Sequence, residues 1–238
     1  MENKYQQPLG DLIMSKPPQT PPLPCYSHKR RQRYFGSKQD LRCATRPFVS
    51  EQLWVVVSDK LYGKVTTMWD AFCGIGVDTI QATRFFQRVF ATEIDESTYE
   101  KFCHNIRLKQ VSRMILSSCQ MDCLQVQEVP FHIDLLYFDP PWGSEYPRQK
   151  AEKGQFQFGN TLLNETTTIA NAYTKLVEFA RPKYTLVKLP ANASHGGPWL
   201  HGSCEDHDDD PATNIEHGCV RLYDQWARDG LVFYLTKC

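Results

Sequence analysis

Ile133-Asp134-Leu135-Leu136-Tyr137 leads into Phe138-Asp139-Pro140-Pro141-Trp142-Gly143-Ser144, and this stretch decides how the rest of the chain reads. The run from Ile133 is apolar and of strand length. The two prolines end it, because neither can donate to a sheet ladder. An acid, a rigid turn and an aromatic ring therefore sit together at the carboxyl end of a buried strand. In open α/β sheets that edge is where ligands bind. A planar base with an exocyclic amine suits the set: the Asp139 carboxylate and the Pro140 carbonyl can both accept from an NH2 group. Trp142 can stack on the ring, for roughly 1–3 kcal/mol. A plain strand-ending turn with a packed Trp is the competing reading.

The chain around this stretch has 238 residues, enough for one domain with a substantial core. Its hydrophobic content is 41% and its charged content 23%, as in ordinary globular proteins. No apolar run approaches membrane length and no signal-peptide core is evident, so an intracellular protein without a membrane span is expected. The nine cysteines form no paired pattern and read as free thiols. The formal net charge of zero argues against wrapping a long nucleic-acid backbone, which needs a wide basic footprint. A local grip on a short terminal piece stays open.

Residues 1–24 are rich in Pro and Gln and read as a flexible tail. Residues 25–62 form a basic-aromatic extension: Lys29, Arg30, Arg31, Arg33, Lys38, Arg42 and Arg46 are interleaved with Tyr26, Tyr34, Phe35 and Phe48. That pattern suits phosphates and stacked bases more than a bare localisation signal. Ser50 reads as the N-cap of a helix running to about Leu61. From residue 63 to 238 strands and helices alternate. Strands are expected over 65–72, 89–94, 114–117, 133–138 and 184–189, and helices over 77–86, from 96 or 97 to 110, and over 166–180. Two further strand-like runs, 216–223 and 231–235, read as a terminal hairpin. The expected fold is α/β: a doubly wound, Rossmann-like, mostly parallel seven-stranded sheet with an antiparallel C-terminal hairpin.

Trp69-Asp70-Ala71-Phe72-Cys73-Gly74-Ile75-Gly76 ends the first of these strands in a glycine turn. A dinucleotide site wants a third glycine where this chain has Thr79. Asp70 would repel a pyrophosphate but suits a cationic ligand end. Glu93 ends the second strand and can accept two ribose hydroxyls. Asp122 follows the third and can meet an adenine amine. Each acid alone reads equally as a solvated strand end or a helix cap. Together, with Asp139 after the fourth strand, they describe a site for a zwitterionic nucleoside, S-adenosyl-L-methionine.

DAFCGIGVDTIQ (70–81), ATEID (91–95) and DPPWGSEY (139–146) resemble the class I methyltransferases, and more narrowly the trimethylguanosine synthase family of RNA cap guanine-N2 methyltransferases. That family's D-x-F-C-G-x-G-x-N-T-I-Q is matched by Asp70 to Gln81 with Asp78 in place of Asn. Its S-P-P-W-G-G-P-x-Y is matched by Asp139 to Tyr146 with one residue fewer and Asp139 in place of Ser. RYFGSKQDL (33–41) and LPANA (189–193) are similar to further family segments, with Ala191 where the family has Arg. The likeness runs over roughly residues 26–238.

The resemblance implies methyl transfer from S-adenosyl-L-methionine to the exocyclic N2 of 7-methylguanosine in RNA caps. An amino-methyltransferase acting on adenine N6 or guanine N2 of DNA, rRNA or tRNA is the alternative. Asp139, Pro140 and Trp142 are the expected catalytic set. Asp70, Phe72, Cys73, Gly74, Gly76, Thr79, Glu93, Asp122 and Asp139 are the expected cofactor contacts. Trp142 and Tyr146, with Lys29, Arg30 and Arg33, are expected at the cap and its phosphates, and Lys188 and Asn192 on the same rim. The methylated base is cationic, so stacking on Trp142 gains a cation–π contribution. The expected partner is capped RNA, the expected assembly a monomer, and the expected place of work the nucleus, with the cytoplasm second. His201, Cys204 and His207 have plausible metal spacing, but no second pair closes a tetrahedral site, and no metal is expected.

Overall fold

The structure, a computed structural model, describes residues 34–113, 115–141, 163, 166–190, 219–222 and 231–238. Its organising element is β4 (Leu135–Phe138), the strand anticipated from the Asp-Pro-Pro stop, and all four of its residues are buried. β4 lies between β1 (Thr67–Asp70) and β5 (Tyr184–Pro190), parallel to both. On the other side of β1 follow β2 (Arg88–Glu93) and β3 (Leu116–Gln120), also parallel. Beyond β5 the hairpin of β6 (Cys219–Leu222) and β7 (Leu231–Lys237) closes the sheet antiparallel. The order is β3-β2-β1-β4-β5-β7-β6. The chain winds outward from β1 to β3 and returns to β4 beside β1. That reversal opens a crevice at the carboxyl ends of β1 and β4.

Helices cover both faces. On one lie α1 (Lys38–Cys43), α2 (Pro47–Lys60), α3 (Val77–Ala82) and α4 (Glu96–Leu108). Val49, Leu53, Trp54 and Val57 of α2 share a core with Met68, Ile80, Phe102, Leu135 and Leu186. The other face carries α5 (Ile169–Ala180), whose Ile169, Ala172, Tyr173 and Leu176 pack with Trp69, Leu136, Phe138 and Val187. Successive residues of a strand face opposite sides, so Met68 and Trp69, or Leu186 and Val187, belong to different cores. Among the described residues no helix is long and apolar enough to cross a membrane.

Local chemistry sets the element ends. Asp95 caps α4 by accepting from Thr98 N at 2.7 Å, and Thr168 caps α5 through Asn171 N at 3.2 Å. α5 stops at Arg181, whose φ of 45° is left-handed, before Pro182. One cap expectation is corrected: α2 begins at Pro47 with Arg46 at its N-cap, not at Ser50. Proline is pre-organised for the first helical position, where its missing N–H costs nothing. Ser50 consequently lies one turn inside the helix, fully buried, with no hydrogen-bond partner for its hydroxyl among the described residues. α3 also ends earlier than expected, at Ala82, and the chain turns through residues 83–86.

Candidate active site

Four acids meet the carboxyl edge of the parallel strands: Asp70 ends β1, Glu93 ends β2, Asp122 follows β3 and Asp139 follows β4. Asp70 is the most enclosed, 1% exposed. Thr79 Oγ1 donates to its Oδ2 at 2.6 Å and Phe72 N to its Oδ1 at 3.2 Å. Burial pushes its carboxyl up to about 8; the nearby Asp78 and Asp139 carboxylates add to the rise and the two donors only moderate it. A buried carboxylate held this unfavourably is one that a cation would relieve.

The glycine turn wraps the same acid. Gly74 (φ 53°) donates to Glu93 Oε2 at 2.9 Å, tying the turn to the end of β2. A Cβ at Gly74 would meet nothing within 4 Å, so the backbone there borders open space. Gly76 (φ 87°) opens α3, and a Cβ on it would come within 2.2 Å of Phe102. The one glycine faces open space and the other packs against a helix. Glu93 Oε1 accepts from Asp95 N at 2.9 Å. Each oxygen keeps a second lone pair for a hydroxyl donor. Burial raises the Glu93 carboxyl despite these donors. Asp122 spends one oxygen on Leu124 N at 2.9 Å, capping a single turn of 3-10 helix (Cys123–Gln125). Ile94 and Met121, 62% and 40% exposed, are apolar side chains at the lip beside Glu93 and Asp122. The sequence reading passed over both, because an isolated apolar residue at a strand end carries no pattern.

Phe72 packs edge-on against Phe138 with ring centroids 5.3 Å apart, so it braces the turn against β4. Cys73 is buried and bonded to β2 through its backbone, with Cys73 N donating to Thr92 O at 2.9 Å. Burial and the Asp70 and Glu93 carboxylates push its thiol well up, which disfavours the thiolate. Asn105 of α4 is a third residue the sequence did not signal. Fully buried, it accepts from Phe35 N at 2.7 Å and donates to Phe35 O and Ile75 O, both at 2.9 Å. The basic-aromatic segment is thereby tied to the glycine turn.

The largest departure from expectation is Lys188. It was expected on the substrate rim, but it is 2% exposed, beneath Asp139. It follows Tyr184 and Leu186 on the α2–α3 face of β5, and strand alternation turns it inward. Its Nζ donates to Asp139 Oδ2 at 2.6 Å and to Thr45 Oγ1 at 2.8 Å, and lies 4.0 Å from Asp78 Oδ2. Burial opposes the ammonium, but the Asp139 and Asp78 carboxylates outweigh it and hold Lys188 above its ordinary range. Asp78 Oδ2 also accepts from Thr45 Oγ1 at 2.5 Å and Tyr137 Oη at 3.0 Å, whereas its buried Oδ1 has no hydrogen-bond partner among the described residues. Pro140 is buried and Asp139 partly so. Trp142, Tyr146, Asn192, Lys29, Arg30 and Arg33 lie outside the described residues, as does the His201–His207 segment.

The donor set fits S-adenosyl-L-methionine on this structure's own terms. Asp70 has no described cation within salt-bridge reach, Gly74 borders open space, Glu93 offers hydroxyl acceptors, and apolar Ile94 and Met121 are exposed beside Glu93 and Asp122. A family profile described as RNA cap guanine-N2 methyltransferase matches residues 65–188, slightly more than half of the chain. An uncharacterized protein of Acanthamoeba polyphaga mimivirus is 26% identical over 144 residues, 60% of this chain and 53% of that protein. The chain thus spans about half the length of that curated relative. Among solved structures, TrmN from Thermus thermophilus superposes with a TM-score of 0.49 at 14% identity, covering 85% of this chain and 53% of that one. The N-methyltransferase NodS from Bradyrhizobium japonicum gives 0.47 at 14%, covering 80% and 96%. The matched span opens just before β1 and closes on Lys188, so it takes in all four strand-end acids, Asp70, Glu93, Asp122 and Asp139, and the lysine beneath the last; the chain belongs to the RNA cap guanine-N2 methyltransferase family, a class I methyltransferase family whose cofactor is S-adenosyl-L-methionine.

Proposed function

We propose that this chain methylates the exocyclic N2 of 7-methylguanosine in RNA caps. The observation that carries the reading is the family match over residues 65–188, which includes the Asp139-Pro140 pair at the end of β4. Bound S-adenosyl-L-methionine supplies an electrophilic methyl on a sulfonium. Asp70 holds the cofactor's cationic amino-acid end and Glu93 its ribose. The acceptor amine is a poor nucleophile because its lone pair is delocalised into the ring. Asp139 and the Pro140 carbonyl accept its two N–H bonds and so aim the lone pair, a contribution of positioning and fixed charge. Trp142 is assigned to stack on the base, where the charge left by N7 methylation favours the methylated cap over plain guanine. The basic-aromatic segment, tied by Asn105 to the glycine turn, supplies phosphate contacts, and the nucleus is the expected place of work.

The test is incubation with labelled S-adenosyl-L-methionine and GTP, 7-methyl-GTP or cap dinucleotide, with product masses read out. One or two methyls on the 7-methylated acceptors, with GTP left untouched, are expected. Trp142→Ala should abolish this transfer while cofactor affinity stays within a few-fold. Transfer to tRNA, rRNA or DNA fragments with none to 7-methyl-GTP would overturn the cap reading and favour the broader amino-methyltransferase one.

A further inference from the structure

Two carboxylates distinguish this chain from the family pattern it otherwise follows, Asp139 and Asp78, and both lie within 4.0 Å of the Lys188 ammonium. The three come from different elements: Asp78 from α3, Asp139 from the end of β4 and Lys188 from β5. Thr45, just before α2, bridges them, giving its proton to Asp78 and accepting one from Lys188. The side chain of Lys188 is 3% exposed and that of Asp139 18%, so solvent screens this pair weakly. A buried lysine is normally costly and persists where it is paired. Here the pairing is directed at the carboxylate that stands beside the proposed acceptor site.

We propose that Lys188 is the positioning residue of the transfer step: its ammonium fixes the rotamer of Asp139 through Oδ2 and keeps that carboxylate ionised, so that Asp139 meets the acceptor amine as a full anion. This rests on the reading that Asp139 holds that amine. Asp139 then acts as an orienting acceptor with low basicity, and the proton released after transfer leaves to water. Among the described residues, the titratable groups facing the pair are Asp78 from α3, Asp70 from the end of β1 and Tyr137 from β4. Asp70 and Asp78 oppose ionisation of Asp139, and among the described residues Lys188 is a cation that offsets them.

The test compares wild type, Lys188→Met, Lys188→Arg and the double variant Lys188→Met/Asp139→Asn. Carbon-13 NMR of the aspartate side chains, with the Asp139 signal assigned by its loss in Asp139→Asn, follows the carboxyl directly. Its midpoint should rise by more than about one pH unit in Lys188→Met. With the acceptor that wild type methylates, kcat of Lys188→Met should fall roughly a hundredfold at neutral pH while cofactor affinity holds, and should recover as pH rises. Lys188→Arg should keep the low midpoint and regain part of kcat. The double variant should unfold at a higher temperature than Lys188→Met, because it no longer buries an unpaired charge. An unmoved Asp139 midpoint, or a pH–rate profile in Lys188→Met that superimposes on wild type, would overturn the proposal. If Lys188→Met does not fold, the double variant decides: restored folding supports the pairing and continued failure refutes it. Wild type inactive on every cap acceptor would sink the cap reading alone, since the NMR titration still decides Lys188.

Discussion

Asp70 and Asp134 stand at opposite ends of two neighbouring strands and have almost the same burial, 1% and 4% exposed. Asp70 closes β1 at the carboxyl edge, and Asp134 sits just before β4 at the amino edge. Asp134 Oδ2 accepts from Thr66 N at 2.8 Å, Thr66 Oγ1 at 3.1 Å and Thr67 N at 3.2 Å. Lys183 Nζ lies 2.8 Å from Oδ1. Burial pulls its carboxyl upward, but the lysine and the Thr66–Thr67 donors prevail and hold it at about 2. Asp70 has two donors and no described cation within salt-bridge reach, and burial carries it to about 8. The same side chain is therefore held as an anion where the fold supplies its counter-charge and driven toward the protonated form where no described residue does.

The largest effects should come from removing each charge. Asp70→Asn should cost S-adenosyl-L-methionine affinity by roughly a hundredfold or more, since a buried charge pair loses one member. Thermal unfolding of the same variant without cofactor should be unchanged or shifted upward. Asp134→Ala should do the reverse: a stability loss on the order of 2–3 kcal/mol from its unpaired donors and lysine, with calorimetric cofactor affinity preserved. Matching losses of affinity in both variants would erase the distinction between the two ends.

The glycines sharpen the comparison within the carboxyl edge. Gly76→Ala drives a methyl into Phe102 and forces a left-handed alanine, so it should destabilise by about 3 kcal/mol or more. Gly74→Ala has room for its methyl but not for its φ of 53°. It should cost only about 1–2 kcal/mol of stability and show itself in weakened cofactor binding. Urea unfolding and calorimetry on both variants separate the two roles.

Smaller effects should appear with pH, in opposite directions. The Asp134 carboxyl sits at about 2, below its unfolded value near 3.9. Its stabilisation is present above about pH 4 and is lost as pH falls toward 2. Asp70 sits at about 8, above its unfolded value, so cofactor-free protein should lose stability as pH rises from about 4 to 8. Binding a cation there releases a proton below about pH 8, so cofactor affinity should climb with pH and level off near that value. Calorimetry in buffers of different ionisation enthalpy reads this proton release, which Asp70→Asn should remove.

Much of this was legible in the residues. The Asp-Pro-Pro stop after an apolar run located β4, and strand–helix alternation with a terminal hairpin gave the topology. These are local signals: a proline without an N–H acts on its own ladder, whatever lies across from it. The acids at the strand ends were found for the same reason. What was misjudged depended on neighbours. Ser50 looked like a cap until Pro47 claimed the first turn. Lys188 looked like a rim cation, yet the strand parity that buries Leu186 buries it too. Asn105 carries no pattern and Asp78 stands out only as a departure from the motif's Asn, and only packing shows that one ties Phe35 to Ile75 and the other faces a lysine from β5.

The sequence by itself determined the alternation of elements, the chemistry at the strand ends and the family, because periodicity, turn residues and motif spacing act within a few residues. Tertiary structure alone decided which charges meet. The reversal of strand order places β4 between β1 and β5, and that adjacency brings Asp70, Asp78, Asp139 and Lys188 into one buried cluster. A carboxylate's worth as a staple, a cofactor anchor or an orienting acceptor depends on the counter-charge within about 4 Å, and residues far apart in the chain supply it.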